Sequence, residues 1–197
     1  MISESCYWKM PLLETAERLR SLKAVRGLNE EQLTTVERDI FVGFYSVRKL
    51  FETITKVTDS MKCLRVQVSW YPNRKHVNWK NNHRIHELYD LAKESNEHRD
   101  IWFVSSRIIH SFIFTPYVEE QGGLAGIMFT SDRDQDIKLY SMDIDGVIAI
   151  FERVGNDDPT TIKWSKNVDT GEETTLACFM HERCRDGLLG TTFRRWC

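Results

Sequence analysis

The spacing of apolar side chains divides the chain into a helical beginning and a mixed remainder. Over residues 29–58 the apolar positions recur at steps of three or four, the spacing of one face of an α-helix. Asn29, with Gln32 three positions later, is typical of a capping box at a helix N-terminus. The pattern predicts one long helix over 29–58, preceded by a shorter helix over 12–26 that ends before Gly27.

Beyond residue 58 the period of the pattern shortens. Residues 64–70 alternate between apolar and polar side chains, which predicts a half-buried strand. Three apolar runs separated by turn-forming residues predict a three-stranded antiparallel meander at 111–117, 124–130 and 137–142. Further helices are predicted over 82–95, from Asp100 through Ile108, and from Asp143 or Asp145 to Gly155. A hairpin is predicted over 160–179.

These elements predict an α+β fold with an N-terminal helical pair beside a mostly antiparallel sheet. The length of 197 residues suits a single domain, 1–197, with a helical part at 1–58 and a mixed part at 62–197. A helix of about 28 residues exceeds what a compact domain usually needs. It is therefore either the spine of the fold or half of a dimer interface, and we expect a homo-oligomer that associates through helix 29–58.

Cysteine usage and hydropathy bear on the compartment. The five cysteines are odd in number and scattered, which favours reduced thiols and an intracellular protein. The N-terminus lacks the basic and apolar pattern of a secretory signal, and no apolar run approaches the roughly 20 residues of a membrane span. The expected location is the cytoplasm, without membrane association.

The net charge of −2 hides two opposed blocks. Residues 60–86 carry six Lys and Arg and no carboxylate, whereas residues 119–158 carry three Lys and Arg against ten Asp and Glu. Cations interleaved with aromatic rings suit nucleic acid, because cations meet phosphates and rings stack on bases. The alternative is that the basic block docks onto the acidic one. The candidate ligand-binding residues are Arg74, Lys75, His76, Trp79, Lys80, His83, Arg84 and His86.

Two other groups of residues suggest chemistry. Arg107 and His110 lie one turn apart on a predicted helix, where one can clamp a phosphate while the other transfers a proton. Cys178, His181 and Cys184 place two thiols and an imidazole at intervals of three residues, a ligand set that zinc accepts. These groups make Arg107 and His110 candidate catalytic residues and the other three candidate metal ligands.

No familiar catalytic motif accompanies these candidates. The sequence contains no phosphate-binding glycine loop, no nucleophile elbow and no dinucleotide fingerprint. The leading hypothesis is therefore a small binding or regulatory protein without catalytic activity or cofactor, for which another protein is one candidate partner. The alternative is a nucleic-acid-binding protein that uses residues 62–86, and the third hypothesis is an RNA-cleaving or metal-dependent enzyme.

Overall fold

Two long helices open the fold. The computed structural model describes residues 2–120, 122–167 and 170–179. Helix α1 spans Cys6–Leu22 and helix α2 spans Glu30–Glu52. The predicted capping box is confirmed: the Gln32 N–H donates to Asn29 Oδ1 at 2.8 Å, and the Asn29 N–H donates to Gln32 Oε1 at 3.0 Å. Helix α1 lies earlier than the predicted 12–26, because its apolar face continues upstream through Trp8.

Helix α2 ends at Glu52, six residues before the predicted end. Thr53 is extended, and Thr55 has a φ of 72°, in the left-handed region that a helix cannot continue through. Three β-branched residues in succession, Thr53 to Thr55, lower the helix propensity at this point. Val57 is nevertheless fully buried, because the loop after the helix returns it to the core.

Five antiparallel strands form the central sheet. The strands are β1 Arg65–Pro72, β2 Ser95–Asp100, β3 Ser111–Val118, β4 Leu124–Ser131 and β5 Lys138–Asp143. Their order across the sheet is β2-β1-β5-β4-β3, so β2 and β3 are the edges. The predicted meander is confirmed as β3, β4 and β5. The α+β class with N-terminal helices is likewise confirmed.

The helix predicted over 82–95 is mostly wrong. Within this range the described chain contains a single helical turn, α4 (Ile85–Leu88). The short helix before β1 is α3 (Asp59–Lys62). Residues 95–100 are instead β2, paired antiparallel with β1 from Arg65 opposite Asp100 to Trp70 opposite Ser95. Only residue 95 of the predicted helix lies in β2; Leu88 and Tyr89 are instead buried in the smaller core against the sheet, and this packing overrides the local helical pattern.

The later elements follow the sequence pattern closely. Asp100 caps helix α5 (Ile101–Ile109) by accepting a hydrogen bond from the Phe103 N–H at 2.6 Å. Helix α6 spans Ile144–Gly155, as predicted. Strands β6 (Thr161–Lys166) and β7 (Glu173–Cys178) form the predicted hairpin as a separate two-stranded sheet.

The two faces of the central sheet carry separate cores. Helices α1, α2, α5 and α6 pack on one face, where Val68, Phe129 and Met142 are buried. On the opposite face a smaller core joins the segment between β1 and β2 to the sheet. Its fully or nearly fully buried members are Val77, Leu88, Tyr89, Ile113 and Leu139. The segment between β1 and β2 is therefore held on the sheet by apolar contacts.

Helix α2 is the spine of the larger core. Its inward-facing apolar residues Ile40, Phe44 and Leu50 are completely buried in this core. Gly43 makes room for the Phe151 ring, since a Cβ at this position would lie 2.3 Å from Phe151 Cζ. The apolar stripe that motivated a dimer interface therefore faces the core. Self-association through this helix stays a prediction, and the exposed apolar residues available to it are Val42 and Tyr45.

The structure revises one argument about the compartment. Cys63 and Cys178 are disulfide-bonded, so the prediction that the cysteines are reduced is wrong for these two, whereas the exposed Cys6 is a free thiol. Disulfides persist mainly in oxidising compartments, so cysteine chemistry no longer supports the cytoplasm. In the described part of the chain, no helix is both long and apolar enough to cross a bilayer.

Candidate nucleic-acid interface

The segment between β1 and β2, residues 73–94, contains all eight predicted binding residues and is called the basic loop below. Its anchor is Tyr89, which has no exposed surface and whose hydroxyl donates to the Gln135 carbonyl at 2.6 Å. An isolated β-bridge joins Tyr89 to Asn73, and Asn73 Nδ2 donates to the carbonyls of Lys75 and Leu88 at 2.8 and 3.2 Å. The loop is thus held to the sheet at both of its ends.

Three of the predicted binding residues are used in that attachment. Arg74 pairs with the buried carboxylate of Asp90 at 2.5 Å, and this partner lowers the pKa of Asp90. His76 Nδ1 lies 3.1 Å from Asp136 Oδ2, and the other Asp136 oxygen accepts the Val77 N–H at 2.7 Å. Lys75 reaches Glu87 at 3.7 Å. These side chains are exposed, but each is paired with a carboxylate, and the pairs help to hold the loop in place.

The remaining predicted residues form an exposed group at 79–86. The Trp79 side chain is 74% exposed, and Lys80 Nζ lies 5.3 Å from the centre of its ring. His83, Arg84 and His86 are exposed, and the nearest carboxylate oxygen to Arg84 is 4.0 Å away on Glu87, which Lys75 also uses. This group is called the exposed arm below. It carries two permanent cations, two imidazoles and an uncovered indole, with no carboxylate among its own residues.

The acidic block does not neutralise the exposed arm. Within the described residues, Asp136 is the carboxylate of 119–158 that pairs with the basic loop. Four other carboxylates of the block pair with cations in or directly after helix α1 and in α5. The pairs are Lys9–Asp158, Arg20–Glu152, Lys23–Asp145 and Arg107–Asp134. Docking of the basic block on the acidic block was the alternative to a ligand-binding surface. Among the described residues, this docking involves the attached part of the basic loop and not the exposed arm.

A small pocket lies between the exposed arm and the sheet. It has a volume of about 300 Å³, and its walls come from Asn82, His83 and Ile85 on one side and from residues 112–115 of β3 on the other. Strand β3 is an edge of the sheet, so its outer side has no neighbouring strand within the sheet. The sequence analysis missed this pocket because its two walls are about 30 residues apart and only strand order brings them together.

The predicted catalytic pair is not brought together by the structure. The Arg107 guanidinium is ion-paired with Asp134 and lies 4.7 Å from the centre of the Phe103 ring. His110 follows the end of helix α5 with an exposed side chain. In the described part of the chain no hydrogen bond joins Arg107 to His110, and catalysis by this pair stays a prediction.

The surroundings of Arg107 make stability depend on pH in the alkaline range. Tyr140, which is 3% exposed, lies beside this cluster, and burial followed by the charges of Asp134 and Glu97 raises its pKa to about 12. The ordinary tyrosine pKa is about 10. A raised pKa in the folded state means that the neutral form stabilises the fold, fully below pH 10 and progressively less as the pH rises towards 12.

We expect the free energy of unfolding to fall by about 2–3 kcal/mol between pH 10 and pH 12 through Tyr140 alone. In Tyr140→Phe this contribution is absent, so the difference in stability between wild type and variant should shrink over the same range. Urea unfolding at pH 9, 10, 11 and 12 measures it. A wild-type and variant difference that stays constant with pH contradicts the prediction.

The metal-ligand prediction falls mostly outside the described residues. His181 and Cys184 both lie there. Cys178 is disulfide-bonded, and a disulfide sulfur is not the thiolate that zinc binds. Among the described residues, no group of three His, Cys, Asp or Glu side chains is arranged to hold a metal ion. His83 and His86 therefore belong to no such group.

Comparison with known proteins adds no information about the site. The chain matches no protein family model, no curated protein and no solved structure. Any functional conclusion therefore depends on the residues and their geometry.

Proposed function

We propose that this protein is a binding protein whose ligand is single-stranded nucleic acid, held by the exposed arm. The observation that carries the proposal is Trp79, 74% exposed beside Lys80 in a segment without carboxylates. Single exposed aromatic side chains are common on protein surfaces, but this one lies beside a cation in a segment without carboxylates, and every unpaired base offers a flat face on which it can stack. The proposed protein is a binding protein, as in the leading hypothesis, and its ligand is nucleic acid, as in the alternative.

Charge supports the same ligand. Lys80, Arg84 and, when protonated, the imidazoles of His83 and His86 face solvent beside the indole. Phosphates follow one another along a strand, so cations spaced around a stacking ring contact the backbone while the ring holds a base. A duplex hides the faces of its bases, which is why the proposed ligand is single-stranded.

The central test replaces Trp79 with alanine. A stacked base contributes about 1–3 kcal/mol, so Trp79→Ala should weaken binding of a labelled 12-nucleotide single strand by roughly five- to 150-fold at low salt. Fluorescence anisotropy measures the dissociation constant. The matched control is Trp164→Ala, which removes a tryptophan that is 62% exposed on the β6 strand.

The control and the salt dependence make the test decisive. Trp164→Ala should leave affinity unchanged, and affinity should fall as salt rises, with a slope reduced by about 0.7 in Lys80→Ala or Arg84→Ala. Absence of binding to RNA and DNA single strands at low salt, or equal losses in the two tryptophan variants, would overturn the proposal.

Location and self-association remain part of the proposal. The cytoplasm is the proposed location, where single-stranded RNA is abundant, although the disulfide-bonded Cys63 and Cys178 count against it. A protein partner and a homo-oligomer formed through helix 29–58 are compatible with the exposed arm, which lies on the opposite face of the sheet from that helix.

A further inference from the structure

The asparagines of the basic loop have unequal roles. Asn73 bonds to backbone carbonyls, as described above. Asn78 Oδ1 accepts the Lys80 N–H at 2.9 Å, while Asn81 Oδ1 accepts the Asn78 N–H at 2.8 Å and Asn81 Nδ2 donates to the His76 carbonyl at 2.9 Å. These bonds fold the turn that carries Trp79. Within the described residues the carboxamide of Asn82 has no hydrogen-bond partner.

Asn82 is also the asparagine that lines the pocket beside β3. Its backbone N–H donates to the Asn78 carbonyl at 3.0 Å, so the same turn fixes the position of Asn82 relative to Trp79 and Lys80. A carboxamide offers a donor and an acceptor side by side, the arrangement that pairs with the edge of a nucleobase. A free carboxamide held by a rigid turn at the wall of a pocket is a feature of ligand sites.

The size and lining of the pocket restrict the ligand. A volume of about 300 Å³ is at the lower limit for small-molecule sites and suits one heterocycle. Phe112 is half-buried and belongs to the smaller core, Ile113 is 5% exposed, and Thr115 adds a hydroxyl, whereas the Phe114 ring packs on Phe41 at 4.7 Å between ring centres. The lining mixes polar side chains (Asn82, His83, Thr115) with apolar ones, which suits a base, because a base has apolar faces and an edge of donors and acceptors.

We infer that this pocket receives one nucleobase of the bound strand and that Asn82 selects it by hydrogen bonds to its edge. The inference rests on the proposed function, since the strand reaches the pocket from the exposed arm. Trp79 then provides stacking without preference for sequence, and Asn82 provides the preference. Asn82 is a specificity residue, whereas Trp79 and Lys80 determine overall affinity.

Equal-length homopolymers of the four deoxynucleotides test the inference. Wild-type protein should prefer one of them over the weakest by about fivefold or more. Asn82→Ala should reduce that preference to within twofold, and Asn82→Asp, which removes the donors and keeps the shape, should change which homopolymer is preferred. Both variants should retain the overall affinity that Trp79→Ala reduces, and the same salt dependence as the wild type.

A second measurement locates the base directly. A single strand carrying 5-iodouracil, irradiated in complex with wild-type protein, should crosslink to the peptide that contains Phe112 and Phe114, and Ile85→Trp, which fills the pocket, should abolish this crosslink. Binding that shows no base preference, or a preference that survives Asn82→Ala, overturns the pocket and leaves the proposed function standing. If no oligonucleotide binds while an acidic peptide does, both proposals fail and the arm is a protein-binding surface.

Discussion

Replacing Phe44 with aspartate is expected to unfold the protein. The Phe44 side chain has no exposed surface, and its ring centre lies 5.1 Å from that of Phe151. Truncation of a buried phenylalanine costs about 3–5 kcal/mol, and an unpaired buried carboxylate adds to this cost. The total free energy of unfolding of a protein is only about 5–15 kcal/mol. Circular dichroism and urea unfolding should show loss of the cooperative transition at room temperature.

The neighbouring position supplies the control for this experiment. Val42 lies on the same helix and is 57% exposed, so Val42→Asp should change stability by no more than about 0.5 kcal/mol. The same variant tests self-association: if copies of the chain associate through the outer face of α2, sedimentation of Val42→Asp should shift towards the monomer. A folded Phe44→Asp protein with altered sedimentation would show that the apolar stripe is an interface and contradict its place in the core.

Replacing Tyr89 with alanine is expected to have the second large effect, on stability and on binding together. Among the described residues, Tyr89 is the largest fully buried side chain, and it anchors the basic loop through its ring and its bond to the Gln135 carbonyl. Loss of the ring should cost about 3–5 kcal/mol. Because the exposed arm keeps its position only while the loop is attached, oligonucleotide affinity should fall in this variant even though Tyr89 cannot contact the ligand.

Tyr89→Phe separates the two functions of this side chain. It keeps the ring and loses one hydrogen bond, which contributes about 1 kcal/mol. Thermal unfolding should place it between wild type and Tyr89→Ala, and anisotropy should give nearly wild-type affinity. If folded Tyr89→Ala binds oligonucleotides with wild-type affinity, the exposed arm does not need its anchor for binding. The predicted dependence of affinity on loop position is then wrong.

The candidate site was only partly predictable from the sequence. The block of cations and aromatic rings at 60–86 is visible in the sequence, and Trp79 with its neighbours is exposed. The sequence does not reveal that Arg74 and His76 pair with Asp90 and Asp136, since those carboxylates lie 16 and 60 positions away. It shows the excess of basic residues but not which of them pair with carboxylates of distant segments.

The sequence by itself determined local structure, in which each side chain and its partner are close together in the chain. The capping box of α2, the Asp100 cap of α5 and the period-two strands depend on neighbours within four residues, and all are confirmed. The end of α2 and the replacement of the predicted helix 82–95 by a loop and β2 depend on backbone pairing and burial with distant segments. Only the tertiary structure decided these, together with the burial of the α2 stripe and the pocket beside β3, because long-range packing selects among local conformations of similar free energy.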